Sequence, residues 1–181
     1  MKPVKKILAL ILAGVMALAL LTGCGKATSV NRTMAEGLAE YSKSLLAQQG
    51  NKNNISVSYQ VPELSRDIAP LFDENWITQN DDGDNVLNEN YKVNGNKTVK
   101  ETLTGILNRH MSDSFVVFLV TDVTDVKPPF LAGVNWFDSG IDFVIRGLDF
   151  DAGSITSLKI EVTHKTVNGR TYALAVVIME K

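Results

Sequence analysis

Two histidines are the side chains best suited to acid–base work near neutral pH, because imidazole alone titrates there unaided. His110 closes an apolar helical stripe of Val99, Leu103, Ile106 and Leu107, where an imidazolium would interact favourably with a helix C-terminus. His164 falls on the apolar side of an alternating strand. A packed, hydrogen-bonded histidine accounts for either position equally well, and neither sits in a metal-ligand spacing such as H-x-x-x-H. Serine–histidine–aspartate chemistry has the raw materials, Ser114 and Ser139 among them, but no G-x-S-x-G elbow marks a nucleophile. Nothing here argues positively for an enzyme, and no organic cofactor is implied.

Oxygen ligands gather between Thr78 and Glu89. Against a twelve-residue calcium loop, Asn80, Asp82 and Glu89 take ligand positions three, five and twelve, Gly83 takes the sharp turn at six, and Asp84 lies beside them. Thr78 stands where an aspartate is expected, Asn85 replaces the apolar eighth residue, and no exiting helix follows. Calcium on Asn80, Asp82, Asp84 and Glu89 is therefore set against a surface turn rich in Asn and Asp.

The single cysteine, Cys24, stands at the foot of an apolar run, Ile7 to Leu21, preceded by Lys2, Lys5 and Lys6. A run of 15 residues is short for a permanent membrane helix, which needs about 20, and has the layout of a secretory signal. Leu21-Thr22-Gly23-Cys24 resembles the lipobox of bacterial lipoproteins. That resemblance implies removal of residues 1–23 and a diacylglyceryl thioether on Cys24, which becomes the first residue of a lipidated tether, 24–32. An ordinary signal peptide with a chance cysteine, or a simple anchor helix, is the alternative. Two acyl chains suffice for stable anchoring, each buried CH₂ contributing about 0.8 kcal/mol. The expected location is extracytoplasmic, on the cell membrane of a bacterium, with the membrane itself as one partner. With the thiol acylated no disulfide is available, so stability must come from the core.

Cleavage before Cys24 leaves 15 basic against 20 acidic residues, a formal charge of −5. No cluster of Lys and Arg appears, which excludes nucleic acid as an expected partner. Between His110 and Ala152 seven aspartates (113, 122, 125, 138, 142, 149, 151) face only Lys127 and Arg146, a half suited to cations or basic partners, or simply to solvent.

Met34, Leu38, Tyr41 and Leu45 recur at helical spacing over Thr33 to Gln49, stopped by Gly50 and the asparagines after it. Ile55, Val57, Tyr59 and Val61 alternate as a strand ending at Pro62. Glu63 to Ile77 carries a weaker helical pattern that Pro70 must divide, and Gln79 to Asn96 is an asparagine-rich loop. Thr98 and Glu101 form a capping box opening a helix. Phe115 to Val120 is apolar on both faces, as a central strand requires. Val134 to Phe137 and Ile141 to Arg146 flank a turn at Asp138-Ser139-Gly140. Asn168-Gly169 sets a type I′ hairpin pairing Val167 with Arg170 and His164 with Ala173, with the last strand interior and its partner nearer an edge.

Helices early and strands late predict a single α+β domain over 33–181, a largely antiparallel sheet of about four or five strands with two or three helices packed on it. The order of a leading helix, then "PELSRDIA" (Pro62 to Ala69), "NEN" (Asn88 to Asn90) and "TVKETLTGILNRH" (Thr98 to His110) resembles secreted SCP/CAP domains. That resemblance implies a cleft shared by Glu89 and His110, with metal-assisted or acid–base activity. A second histidine near Thr78 to Asp82 and a Gly-His-Arg triplet, both part of that pattern, are absent.

The leading expectation is a non-catalytic lipoprotein that binds a small ligand or an envelope protein through the Gln79 to Asn96 loop or the acidic strands. Trp76, Tyr91 and Trp136 are candidate surface aromatics, with core packing the ordinary place for the tryptophans. A structural accessory of an envelope assembly is the third reading.

Overall fold

A computed structural model of the chain describes residues 30–110, 112–126, 141–146 and 151–181. Helix α1 (Val30–Gln48) leads into β1 (Ser56–Ser58), then a single π-type turn (Leu64–Ile68) and a 3₁₀ turn (Glu74–Trp76). A small hairpin, β2 (Ile77–Gln79) and β3 (Asn85–Leu87), precedes α2 (Val99–Leu107), which runs into a 3₁₀ turn ending at His110. Strands β4 (Ser114–Asp122), β5 (Ile141–Arg146), β6 (Ser157–Val167) and β7 (Arg170–Glu180) complete the chain.

Among the described residues the main sheet has five strands in the order β1-β6-β7-β4-β5. Only β1 is parallel to its neighbour, so the sheet is largely antiparallel, and the α+β expectation holds. The hairpin register is the one the Asn168-Gly169 turn dictates: Val167 pairs with Arg170, His164 with Ala173 and Ile160 with Val177. Asn168 and Gly169 both have positive φ, 48° and 82°, as a type I′ turn requires. Strand β7 is interior and buried on both faces, whereas β6 has only three residues of β1 beyond it.

Two apolar layers flank the sheet. On one face Val116, Phe118, Val120, Leu174, Val176 and Ile178 meet Leu64, Ile68, Phe72, Trp76 and the α2 stripe of Val99, Leu103 and Leu107. On the other, Leu158, Ile160, Val162, Ala173, Ala175 and Val177 meet α1. The buried side of α1 is Met34, Ala35, Leu38, Ala39, Ser42 and Leu46, so Tyr41 and Leu45 lie to one side of it. Small residues on both surfaces explain the rotation: Ala35 and Ala39 share a cluster with Ala173 and Ala175, a close seat that Tyr41 would hold apart.

The segment after β1 crosses from one face to the other. Ile55, Val57 and Tyr59 pack with the α1 layer, and Val61 with the opposite one. Glu161 of β6 makes the crossing possible by accepting from the Val61 N–H at 2.8 Å, a donor that would otherwise lose its partner as it enters the core. The π-type turn then ends at Ala69, where Pro70 forbids continuation. The expected strand Val134 to Phe137 and its turn at Asp138-Ser139-Gly140 lie outside the described residues.

Candidate functional site

Helix α2 begins where its capping box places it. Thr98 Oγ1 accepts from the Glu101 N–H at 3.1 Å, and Glu101 Oε2 accepts from the Thr98 N–H at 2.8 Å. Burial of Val99, Leu103 and Leu107 fixes the helix rotation, and the 3₁₀ turn that follows delivers Arg109 and His110 to one end of the sheet. The hydroxyl of Ser114, the first residue of β4, donates to the His110 carbonyl and pins the turn there.

At that end the ring of His110 meets Glu63. The Glu63 side chain is only 3% exposed, and Val61 and Leu64 on either side of it in the chain are fully buried. Oε1 of Glu63 forms an ion pair with Arg109 Nη2 and lies 3.4 Å from His110 Nε2. Oε2 is buried without a hydrogen bond among the described residues. Arg109 Nε donates to His110 Nε2 at 3.2 Å, which places the neutral ring's proton on Nδ1. Protonated, the same Nε2 becomes a donor facing Glu63. The arrangement therefore holds one proton-accepting ring nitrogen, one buried carboxylate oxygen open to a donor, and a half-exposed guanidinium beside both.

Beside this cluster Glu180 at the end of β7 accepts from Lys159 Nζ at 2.6 Å and from Ser157 Oγ at 2.9 Å. Burial opposes its ionisation, but those two bonds and the charges of Lys159 and His110 outweigh burial and hold its carboxyl below the usual range. Glu63, Arg109, His110, Lys159 and Glu180 thus form a polar rim at one sheet end.

The start of α1 sits at the opposite end. His164 Nδ1 contacts Asn31 Oδ1, and the Arg32 guanidinium stacks 3.5 Å from the centroid of the Tyr59 ring. Burial, partly offset by Arg32, raises the Tyr59 hydroxyl above its ordinary value. From His164 to Ser157 along β6 is seven residues, about 23 Å of strand.

The residues singled out from sequence are distributed as follows. Glu89 accepts from Lys100 Nζ at 2.9 Å on the first turn of α2, and its carbonyl accepts from the Lys100 N–H. Ten residues of helix and turn, about 15 Å, separate Lys100 from His110, so Glu89 and His110 are not brought together. The carboxylate that meets His110 is Glu63, which stands in the sequence between Pro62 and Leu64, just before Ser65, Arg66 and Asp67, and no spacing there ties it to His110. Asn80 accepts from the N–H groups of Asp82 and Asp84 at 3.0 and 2.9 Å, closing the β2–β3 turn around Gly83. The expected calcium ligands Asn80 and Glu89 thus serve a turn and an ion pair, and Asp82 and Asp84 are exposed on the hairpin tip. Among the described residues no group of three or more His, Cys, Asp or Glu is placed to hold a metal ion. Trp76, a candidate surface aromatic, is instead fully buried, edge-on to Phe72 and Phe118. Tyr91 is half-buried against the same core. Trp136, Ser139 and Cys24 lie outside the described residues, as do the signal 1–23 and most of the tether 24–32. Among the described residues no helix is long and apolar enough to cross a membrane.

Comparison with protein-family models, with curated proteins and with solved structures finds no match to this chain.

Proposed function

We propose that this chain is an extracytoplasmic lipoprotein, held to the membrane through a diacylglyceryl group on Cys24, which binds an envelope protein or small ligand at the Glu63–Arg109–His110 end of its sheet without making or breaking bonds. The observation that carries the reading is the opposition of the two ends. Helix α1, the first described element after Cys24, starts beside His164, whereas the polar cluster stands about 23 Å of strand away at the far end of β6. A body tethered at the first end would present the second away from the lipid. The buried, unbonded Oε2 of Glu63 favours a ligand group that donates hydrogen bonds or carries positive charge.

Two measurements test this. Mass spectrometry of the processed chain should find a lipid-modified Cys24 as its first residue, and Cys24→Ser should release the protein from detergent-extracted membranes. An unmodified thiol, or a Cys24→Ser chain that still partitions with lipid after processing, overturns the anchoring. Pull-down from native membranes should lose its partner when Glu63 is changed to Gln in a chain that still folds. Unchanged recovery with Glu63→Gln removes this end of the sheet as the binding surface.

A further inference from the structure

His164 is the one histidine that the polar rim does not use. It lies on the sheet face covered by α1, opposite Ala173 of β7, with Nδ1 against Asn31 Oδ1 in the first turn of that helix. Its other nitrogen, Nε2, is buried and has no hydrogen-bond partner among the described residues. Because Asn31 Oδ1 can only accept, Nδ1 carries the ring proton, and the neutral ring leaves a bare lone pair inside the interface. That lone pair already carries a desolvation cost, which a charged ring would exceed. A second proton would create an N–H with nowhere to donate, at the seam between helix and hairpin.

The charged groups around the seam do nothing to compensate. On α1, Arg32 pairs with Glu36 at 2.7 Å and stacks on Tyr59, while Glu40 pairs with Lys43 at 3.2 Å. On the hairpin, Lys165 is the adjacent residue of β6 and pairs with Tyr172, which packs in the layer on the other face. No carboxylate among the described residues meets the ring, and burial alone lowers its affinity for a proton.

We infer that His164 is an acid-sensitive latch: when its ring gains a second proton, the first turn of α1 lets go of the β6–β7 hairpin while the rest of the sheet stays folded. The sign follows from burial. The docked ring binds a proton more weakly than the undocked one, whose ordinary value is 6.5, so docking weakens as pH falls below that value and levels off once the docked ring is itself protonated. An unpaired buried donor shifts the docked-to-undocked ratio by about fivefold or more.

Amide hydrogen exchange followed by mass spectrometry on the full chain in detergent micelles, corrected for the intrinsic pH dependence, tests the latch. Between about pH 7.5 and about pH 5.5, protection of residues 30–36 should fall about fivefold or more while that of α2 holds. His164→Gln, which can still donate to Asn31 but does not titrate, should show no such fall. Constant protection in the unaltered chain, or a fall that persists in His164→Gln, overturns the proposal. Should that variant fail to fold, the histidine ring resonances of the unaltered chain decide: His164 and the α1 amides should titrate together, and a ring that titrates while α1 stays unmoved defeats the latch. Neither arm depends on Cys24 being lipidated.

Discussion

A buried carboxylate survives only beside a positive charge or a set of donors, and Glu63 has Arg109 on one oxygen and, among the described residues, none on the other. Removing the guanidinium strands the charge. Arg109→Ala should therefore destabilise the fold by about 1–3 kcal/mol in urea unfolding, more than its half-exposed position suggests. The double variant Glu63→Gln with Arg109→Ala should recover much of that loss, because no unpaired charge remains; additive losses would mean the two residues are not coupled. This cluster was only half legible in the sequence. His110 stood out by residue type, but its partner depends on a chain crossing at Val61 that brings Glu63 beneath the end of α2, and such a meeting over more than forty residues leaves no local periodic trace. Glu89 was the more conspicuous carboxylate and went to the nearer cation, Lys100.

Elements set by interactions within a few residues were readable in advance. The α2 capping box and the Asn168-Gly169 turn each involve residues close in sequence, and both form as their types demand. Thr98→Ala should cost about 1 kcal/mol of stability, visible as a lowered urea midpoint with unchanged slope; no change would mean that tertiary packing alone holds the start of the helix. The irregular stretch from Glu63 to Asn96 resisted reading because its order comes from side chains acting as backbone. Asn80 closes one turn with two backbone N–H groups, Asp73 accepts from Asn75 N–H to start a 3₁₀ turn, and Asn94 takes a left-handed φ of 51°. Asn80, weighed as a calcium ligand in the sequence, accepts the backbone N–H groups of Asp82 and Asp84 here. Trp76, a candidate surface aromatic whose ordinary place is the core, is fully buried, and Trp76→Ala should cost about 3–5 kcal/mol by leaving a cavity.

At the scale of the molecule, two pH windows should be separable. Asp122 and Glu180 have carboxyls held below their ordinary values of 3.8 and 4.5: burial opposes ionisation in both, and bonds from Thr124 and Arg170 at Asp122, and from Lys159 and Ser157 at Glu180, outweigh it. Their contribution is complete above those ordinary values and is lost as pH falls through them, because the unfolded chain then binds protons first. Global unfolding midpoints should therefore drop below about pH 4.5, well under the window in which α1 loosens, and Asp122→Asn with Glu180→Gln should flatten that lower limb. The α+β class and the antiparallel sheet were legible because strand alternation reports which faces are buried. The parallel pairing of β1 was not, since nothing local tells a three-residue strand which edge it will join.

That pairing also fixes an order of events. Asn51, Asn53, Ser56 and Val61 all bond to residues 100 to 104 positions later, and β7, the innermost strand, is the last to be made. The edge at β1 therefore closes only by a long-range meeting, and loop closure over such distances is slow. Until β7 is present, β6 and β4 have no strand between them, so the two apolar layers share a common sheet only once that strand has joined.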